Sequence, residues 1–472
     1  MTDSNATNPA RAPSAASASL TATLVAMGQR PVDPRATRRA VLHWLDWIGC
    51  VAAGARAPVG AVLRNWEMRP GAVRGTPSLM GMAQDDYHAM LQDAGPANVE
   101  EMDDMHRGAI LHPGPVVMPA LAGVVRRQGL SAACTLDAVV RGYEMVIRIG
   151  RAVGPRHYFY WHNTATAGVF GAAAACASAL GLSAQQTVWA LGNAGTQAAG
   201  LWQVRLEPVM SKQLHTAHAA FCGMTTASLA QAGFTGPAFI LEGERGFLAA
   251  MCEGGDPSGI CREEADWLIH DTSFKPWPAC RHTHATIDCV MALRDGSGGS
   301  MASPLAFEHC VVETFADAIG ICNNPRPSTR TEAKFSLQYA VVAAAEFGAL
   351  EPAHFDEASF ARADLRERMV RVAVQAAPDL TACYPAHFGA RVSLTLPDGR
   401  TVRHAVADSL GDPERPLSEA ALIDKAAKLM RYGGVDAARI EQAIDAAAAL
   451  LVADNERALA APFPAALLQP LF

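Results

Sequence analysis

The sequence lacks the motifs that mark nucleotide-dependent, redox and several hydrolytic enzymes. It has no GxGxxG segment after a strand, no Walker loop, no HExxH pair and no GxSxG elbow. No run of Lys or Arg stands out and the formal net charge is −7, which argues against nucleic acid as a partner. The eleven cysteines include no CxxC pair. Scattered thiols of this kind indicate a reducing, cytoplasmic setting.

Aromatic residues are also scarce, at 7%, whereas half of the 472 residues are hydrophobic. A composition rich in Ala and Gly favours closely packed helices around a sizeable core. Residues 1–19 have no long apolar stretch, so we expect a disordered tail there and not a secretory signal. Residues 164–184 carry no charge over about the length of a membrane span. Their small side chains favour a helix buried between helices, and no membrane association is expected.

Hydrophobic spacing predicts helices over most of the first half of the chain. Apolar positions recur at helical intervals in residues 37–53, 115–126, 133–153, 169–180, 184–197 and 214–231. Gly-containing loops separate several of these segments, for example at 181–183 and 233–237. We therefore predict a large helical domain over residues 20–270.

The pattern changes after Phe274, where Lys275-Pro276-Trp277-Pro278 interrupts any helix. Strands are predicted at 307–314, 369–374, 390–396 and 401–406, the last two joined by a Pro-Asp-Gly turn, and helices at 331–347 and 358–369. This predicts a smaller α+β lid domain over 275–408. Amphipathic spacing predicts C-terminal helices in 415–472 that return to the helical domain. The expected fold class is therefore mainly α.

The first of four polar clusters precedes His112-Pro113-Gly114. It contains Glu101, Asp103, Asp104 and Arg107. Acidic, basic and imidazole groups at such short spacing could act on a substrate. A solvated loop with a helix-capping aspartate explains the same residues equally well.

Two further clusters are predicted to begin helices. Tyr158 and His162 lead into the uncharged segment, and a helix N-terminus favours anions there. An aromatic plug of hydrogen-bonded rings is the alternative. Lys212 is the first lysine of the chain and precedes an Ala-rich helix that bears His215. Desolvation in a buried helix would favour a neutral amine that could act as a base. The alternative is a lysine that extends to water.

The fourth cluster runs from Lys275 to His284. Cys280, His282 and His284 alternate, so on a strand they would share one face and could bind a metal. No second ligand pair lies at a zinc-finger spacing. The competing interpretation is an imidazole base beside a cationic clamp, formed by Lys275 and Arg281, for a carboxylate.

These clusters, in this order, resemble the MmgE/PrpD family. The matching phrases are Asp103-Asp104 with His112-Pro113-Gly114, Trp161-His162, Lys212-Gln213-Leu214-His215, Lys275 to Pro278 with Cys280 and His284, and Ala333-Lys334-Phe335-Ser336 before Tyr339. The resemblance covers nearly the whole chain. It implies a helical domain with an α+β lid, an active site between them, a homodimer, and neither cofactor nor metal.

The clusters and the resemblance together give the candidate site residues. Candidate catalytic residues are Lys212, His162, His112, Tyr158, Asp104 and His284. Candidate substrate-binding residues are Glu101, Asp103, Met105, Arg107, His215, Lys275, Arg281 and Tyr339. Dehydratase and decarboxylase members of the family tend to read Asp-Phe-Asp-Asp-Thr where this chain reads Glu101-Met102-Asp103-Asp104-Met105. A hydroxyl that would bind substrate is therefore replaced by a thioether.

The resemblance implies a cofactor-independent lyase that removes a proton next to a carboxylate of a small polycarboxylic acid. We expect a hydro-lyase like 2-methylcitrate dehydratase. Lys212 or His162 would be the base, and His112 the acid for the leaving hydroxyl. Cationic side chains would stabilise the developing dianion, namely Lys275, Arg281 and Arg107.

Four alternatives stay open from the sequence. An epimerase of the iminodisuccinate type would use Tyr158 and Lys212 as two bases. A cis-aconitate-type decarboxylase would share the first half of the reaction. A metal-dependent hydrolase would use the fourth cluster. The non-enzyme alternative is an inactive polycarboxylate-binding or scaffold protein, which the departures at Glu101 and Met105 would favour.

Overall fold

The first half of the chain is built from helices packed side by side. The computed structural model describes residues 19–67, 69–207, 209–296, 304–453 and 456–472. The predicted tail, 1–19, lies outside these ranges except for Ser19, whose hydroxyl caps the first helix. The helices are α1 (Leu20–Gly28), α2 (Pro34–Ala55), α3 (Pro58–Asn65), α4 (Asp86–Ala94), α5 (Gly114–Gln128), α6 (Ala132–Ala152), α7 (Gly154–Tyr160), α8 (Asn163–Thr166), α9 (Gly168–Ala179), α10 (Ala184–Gly195), α11 (Ser211–Gln231) and α12 (Phe247–Met251).

Small residues allow three of these helices, α6, α9 and α11, to approach closely. A Cβ atom added to Gly171 of α9 would lie 2.7 Å from Cβ of Val146 on α6. One added to Gly223 of α11 would lie 2.3 Å from Cβ of Ala172 on α9. Such distances exclude any larger residue at these glycines. The close helix packing predicted from the composition is therefore confirmed.

The uncharged segment 164–184 contains two helices and not one. Ala167 lies between α8 and α9, and α9 ends at Ala179. All but one of the α9 residues are buried against neighbouring helices. No helix within the described ranges is long and apolar enough to cross a membrane.

Two short antiparallel ribbons connect loops to the helices. They are β1 (Thr76–Ser78) with β2 (Gly81–Ala83), and β3 (Met105–His106) with β4 (Thr272–Ser273). The second ribbon joins two segments that are far apart in sequence, because Met105 pairs with Ser273. It brings the first polar cluster next to the fourth.

A four-stranded sheet forms the second core. Its strands are β5 (His309–Thr314), β6 (Val372–Ala376), β7 (Ala390–Thr395) and β8 (Thr401–Val406), and its helices are α13 (His284–Gly296), α14 (Ala316–Cys322), α15 (Arg330–Lys334), α16 (Leu337–Phe347), α17 (Glu357–Phe360), α18 (Ala363–Met369) and α19 (Pro378–Cys383). The strand order is β6-β5-β7-β8, with only β5 and β6 parallel. The turn of the β7–β8 hairpin contains Gly399 at φ 84°, a conformation that favours glycine. The fold is thus mainly α with a smaller α+β part.

Two helices predicted in this part are each divided in the structure. The prediction of one helix over 331–347 was wrong because Ser336 separates α15 from α16. Its hydroxyl accepts a hydrogen bond from the Tyr339 amide and starts a new helix. Likewise α17 ends at Phe360 and α18 begins at Ala363.

The last helices are α20 (Glu419–Gly433), α21 (Ala437–Leu451) and α22 (Glu456–Leu459). The first two lie against α2, and α22 lies against α6. Gly49 of α2 permits the contact, since a Cβ there would lie 3.0 Å from Cα of Ala426 on α20. The Trp44 indole of α2 donates a hydrogen bond to the Leu467 carbonyl. These contacts place α20 beside the loop that follows α4.

Candidate active site

A buried acidic loop is the centre of the candidate site. Residues 100–104, here called the acidic loop, precede β3 and include four carboxylates, each at most 7% exposed. The prediction of a solvated loop is therefore wrong, whereas its aspartate does reach a helix start, since Asp104 accepts a hydrogen bond from the Gly114 amide of α5. Buried carboxylates require partners, because the free energy of moving an unpaired charge out of water is large.

Lysines supply most of those partners. Four of the five lysines in the sequence contact the acidic loop. The contacts run from Lys212 to Glu101 Oε1 (2.5 Å), Lys275 to Glu101 Oε2 (3.1 Å), Lys334 to Glu100 (2.6 Å) and Lys425 to the Met102 carbonyl (2.7 Å). Because these lysines come from helices α11, α15 and α20 and from the segment after β4, the loop joins all parts of the chain.

Glu101 bridges two lysines from opposite sides. Burial opposes its charge, but Lys212, Lys275 and His112 outweigh burial and hold the pKa of Glu101 well below its usual range. Its backbone has φ 55°, in the left-handed region that side chains other than glycine rarely adopt. Strain of this kind persists only where the surroundings enforce it, and such positions cluster at functional sites.

Asp103 and His112 form a carboxylate–imidazole pair. His112 Nδ1 lies 2.9 Å from Asp103 Oδ2 and 2.8 Å from the Asp104 carbonyl. Both are acceptors, so Nδ1 carries the proton, and Nε2 is left for a ligand. Burial opposes the charge of Asp103, but His112 and Lys275 keep its pKa below the ordinary value. A carboxylate that fixes the imidazole tautomer is the usual support of a general acid or base.

An aromatic wall faces this pair from α7 and the segments that follow it. The His162 ring lies 4.3 Å from the Trp202 ring and 5.6 Å from the His215 ring, and Tyr158 packs edge-on against Trp202. Burial, followed by the charges of Lys212, His215 and His112, holds the pKa of His162 well below its usual range. Nδ1 of His162 is buried and has no hydrogen-bond partner among the described residues. His162 is therefore a neutral imidazole near the Lys212 ammonium.

Both halves of the sequence match one family. Residues 6–259 match the MmgE/PrpD N-terminal domain, and residues 277–450 match the MmgE/PrpD C-terminal domain. The chain belongs to the MmgE/PrpD family. This membership supports an enzyme of the lyase type.

Curated relatives of this MmgE/PrpD protein share a name. The human protein called cis-aconitate decarboxylase is 25% identical over 69% of this chain and 69% of its own length. The mouse protein of that name is 28% identical over 56% of this chain and 54% of its own length. The cis-aconitate decarboxylase-like protein oryM of Aspergillus oryzae is 27% identical over 70% of this chain and 72% of its own length.

The structure brings eight of the predicted site residues together. Six belong to or surround the acidic loop, namely Glu101, Asp103, His112, His162, Lys212 and Lys275, and two, His215 and Tyr158, belong to the aromatic wall. Burial raises the pKa of Tyr158, and Glu101 adds to the shift. Tyr158 is thus held as a phenol, a proton donor at neutral pH.

Asp104, predicted as catalytic, points away from this group. Its Oδ2 lies 2.7 Å from His43 Nδ1 and accepts a hydrogen bond from the Tyr143 hydroxyl (2.5 Å), and its Oδ1 accepts one from the Gly114 amide (2.9 Å). These partners lie on α2, α6 and α5, within the helical core. Asp104 therefore fixes the position of the acidic loop, and the structure contradicts its place among the reacting groups.

The two predicted arginine clamps are occupied by the protein's own carboxylates. Arg107 lies 2.9 Å from Asp408, 2.6 Å from Glu414 and 3.4 Å from Asp412. Arg281 pairs with Asp412 in the same network. The charge of each guanidinium is therefore already offset by carboxylates of the protein itself. Arg107 therefore links the segment after the acidic loop to residues 408–414, and Arg281 links the fourth cluster to the same residues.

Three other predicted residues also have internal partners. His284 receives a hydrogen bond from Arg281 at Nδ1 (3.0 Å) and gives one from Nε2 to the Ala279 carbonyl (3.0 Å). The Tyr339 hydroxyl donates to the His354 carbonyl within the second core. Met105 packs in an apolar cluster with Phe315 and Phe388. Where other family members tend to have a threonine hydroxyl, this chain therefore has an apolar contact between its two halves. None of the three presents a free polar atom to the acidic loop.

The metal interpretation of the fourth cluster required a strand, and that prediction was wrong. Residues Arg281–Thr283 form a 3-10 helix and α13 begins at His284, so the alternation does not give one face. Cys280 Sγ instead lies 3.3 Å from His282 Nδ1. A hydrogen bond from Cys322, followed by His282, holds the pKa of Cys280 well below its usual range although burial opposes this.

Sequence reasoning missed three residues that complete the site. Trp202 forms the aromatic wall, and Lys334 and Lys425 hold the acidic loop. Lys334 did appear in a family phrase, but no local pattern linked it to Glu100. For Trp202 the available signal was an aromatic residue shortly after Gly200, in the loop before the Lys212 helix.

Proposed function

We propose that this protein is a lyase that removes a proton next to a carboxylate of a small polycarboxylic acid and then eliminates water. One observation supports this above the others. A neutral, unpartnered imidazole and a carboxylate-supported imidazole lie in one site with two lysines. The arrangement offers a base, an acid and cations together, which α-proton chemistry requires.

His162 is the proposed base. Because its pKa lies well below the usual range, the ring is neutral at pH 7 and can accept a proton. The proton leaves the carbon next to the substrate carboxylate, and the bonding pair moves into that carboxylate. Lys212 and Lys275 stabilise the resulting dianion. In the free protein Glu101 pairs with both lysines, so a substrate carboxylate takes up the interactions that Glu101 makes.

His112 is the proposed acid. Its protonated Nε2 donates to the β-hydroxyl of the substrate, the C–O bond breaks and water leaves as the C=C bond forms. Asp103 supports this role, because the carboxylate keeps Nδ1 protonated and stabilises the imidazolium form. These residues supply every group that the reaction needs, so the proposal includes no cofactor.

Decarboxylation is the second candidate. It is favoured by the name cis-aconitate decarboxylase, which the human, mouse and Aspergillus terreus relatives share. Loss of carbon dioxide would give the same kind of carbanion between Lys212 and Lys275, and His112 would then protonate carbon in place of oxygen. Met105 brings no hydroxyl to either reaction.

Deuterium exchange tests the proposal. The purified protein, treated with chelator, is incubated in D2O with citrate, 2-methylcitrate, cis-aconitate and iminodisuccinate, and proton NMR follows each compound. We expect loss of the C–H signal beside a carboxylate, with an alkene proton appearing from citrate or a methyl signal on an alkene carbon appearing from 2-methylcitrate. Carbon dioxide release from cis-aconitate identifies the decarboxylase, and exchange alone identifies the epimerase. Absence of exchange in all four compounds contradicts the proposed reaction.

The acid limit of the reaction is also predicted. A base must be unprotonated, and burial with the nearby cations lowers the pKa of His162, so the base stays active as the pH falls through 6.5. We expect the fall of kcat/KM on the acid side to lie below about pH 6.5, the pKa of an unperturbed imidazole. His162→Asn, measured from pH 5 to 8, should lose activity throughout. An acid-side inflection of the parent protein at or above pH 6.5 would exclude His162 as the base, whereas an alkaline-side inflection reports the proposed acid.

A further inference from the structure

Arg205 differs from the other cations of the site. Lys212 and Lys275 share Glu101, and the guanidinium groups of Arg107 and Arg281 are held by carboxylates of residues 408–414. The Arg205 side chain is exposed and pairs with no carboxylate among the residues that the structure describes. Its charge is therefore available to a ligand.

The position of Arg205 is fixed by the aromatic wall. It ends the 3-10 helix Trp202–Arg205, and its guanidinium carbon lies 5.1 Å from the Trp202 ring centroid and 5.6 Å from that of Tyr158. The His162 amide donates to the Gly200 carbonyl (2.9 Å), which holds this segment against the proposed base. A guanidinium held by cation–π contact with ring faces keeps its N–H groups for a carboxylate.

Arg205 also faces the second half of the chain. Burial raises the pKa values of Tyr158, Tyr384 and Cys322, and the positive charge of Arg205 opposes each shift. Tyr384 and Cys322 follow α19 and end α14, whereas Tyr158 belongs to α7. The guanidinium therefore lies where groups of both halves meet, on the same side as His162.

We propose that Arg205 binds the substrate carboxylate farthest from the reacting carbon and thereby favours tricarboxylic over dicarboxylic acids. The inference rests on the proposed function, which places the reacting carboxylate at Lys212 and Lys275. Those two lysines are already balanced by Glu101, so a second or third carboxylate requires another cation. A bidentate guanidinium–carboxylate pair supplies charge and direction together.

Binding of two unreactive acids tests the inference. Propane-1,2,3-tricarboxylate and succinate are titrated calorimetrically against the parent protein and against Arg205→Gln and Arg205→Lys. We expect Arg205→Gln to weaken tricarboxylate binding about tenfold to fiftyfold and succinate binding less than about threefold. Arg205→Lys should be intermediate, because a lysine keeps the charge and loses the bidentate geometry. Arg403→Gln, an exposed arginine on β8, is the matched control and should leave both affinities unchanged.

Two results would overturn the inference: no tricarboxylate binding by the parent protein, or equal weakening of both acids by Arg205→Gln. Steady-state kinetics adds a second readout, in which KM rises with kcat within about threefold, as expected for loss of uniform binding. If the parent protein binds the tricarboxylate through Arg205 and exchanges no deuterium with any acid, the proposed reaction fails and the inference stands. If Arg205→Gln turns the substrate over with an unchanged KM, the proposed reaction stands and the inference about Arg205 fails.

Discussion

Replacing Lys212 by methionine is expected to reduce turnover about 10³-fold, the loss typical of removing one donor from a developing oxyanion. Lys212 approaches the site from α11 and holds Glu101 at 2.5 Å. Without Lys212, the dianion formed after proton removal lies near the Glu101 carboxylate and has only Lys275 to stabilise it. The measurement is the rate of deuterium incorporation or product formation with the best acid of the panel, at saturating concentration.

The fold should survive this change. The Lys212 side chain is 22% exposed and Glu101 keeps Lys275 as a partner, so we expect a stability loss of no more than about 2 kcal/mol. Lys428→Met is the matched control, since Lys428 on α20 is 55% exposed and pairs only with Asp424 in the described chain. Lys212→Arg keeps the positive charge and moves the donor atoms, so its activity shows whether charge alone or the position of the ammonium group is required. If Lys212→Met retains more than a tenth of the activity, its proposed role is wrong.

The helices of the first half could be predicted because their signal is local. The predicted segments 37–53 and 133–153 correspond to α2 at 34–55 and α6 at 132–152. The break before α16 was missed for the converse reason. Hydrophobic spacing continues through Ser336, and a serine is compatible with a helix interior or a cap until its hydrogen bond is seen.

The residue types of the candidate site could be predicted from the sequence, but the directions in which their side chains point could not. Asp103 and Asp104 are adjacent and chemically identical, yet one faces His112 and the other faces His43 and Tyr143. The positive φ of Glu101 sets the path of this loop. Non-glycine residues adopt that conformation too rarely for a sequence pattern to indicate it.

The arginine clamps show a second limit. Arg107 is close in sequence to His112, which suggested a shared site. Its partners, Asp408 and Glu414, lie 301 and 307 residues later in the chain. The neighbouring residues in the sequence do not distinguish an arginine that binds substrate from one that pairs with a distant segment. Arg205 was missed for the same reason. Its sequence neighbourhood does not show that it pairs with no carboxylate of the described chain.

Replacing Lys275 by methionine should have the largest effect on stability. Lys275 is 1% exposed and contacts Glu101 at 3.1 Å and Asp103 at 3.6 Å. Burial opposes its charge, but the two carboxylates outweigh burial and hold the pKa of Lys275 above its ordinary value. Removing one partner of a buried ion pair costs about 3–5 kcal/mol, because the remaining charge stays out of water. Urea unfolding should show this loss, and Lys428→Met should not.

A double-mutant cycle separates the buried pair from simple packing. Lys275→Met leaves the buried Glu101 carboxylate with Lys212 as its one remaining lysine partner. Glu101→Gln removes that under-compensated charge, so the double variant should regain about 1–2 kcal/mol relative to Lys275→Met alone. Asp103 retains His112 as a partner and is not expected to require the same compensation. If the two single losses add without coupling, the methylene chain of Lys275 stabilises the protein and its charge does not. A coupled result would mean that the acidic loop is held in its strained conformation by the same lysine that the proposed reaction uses.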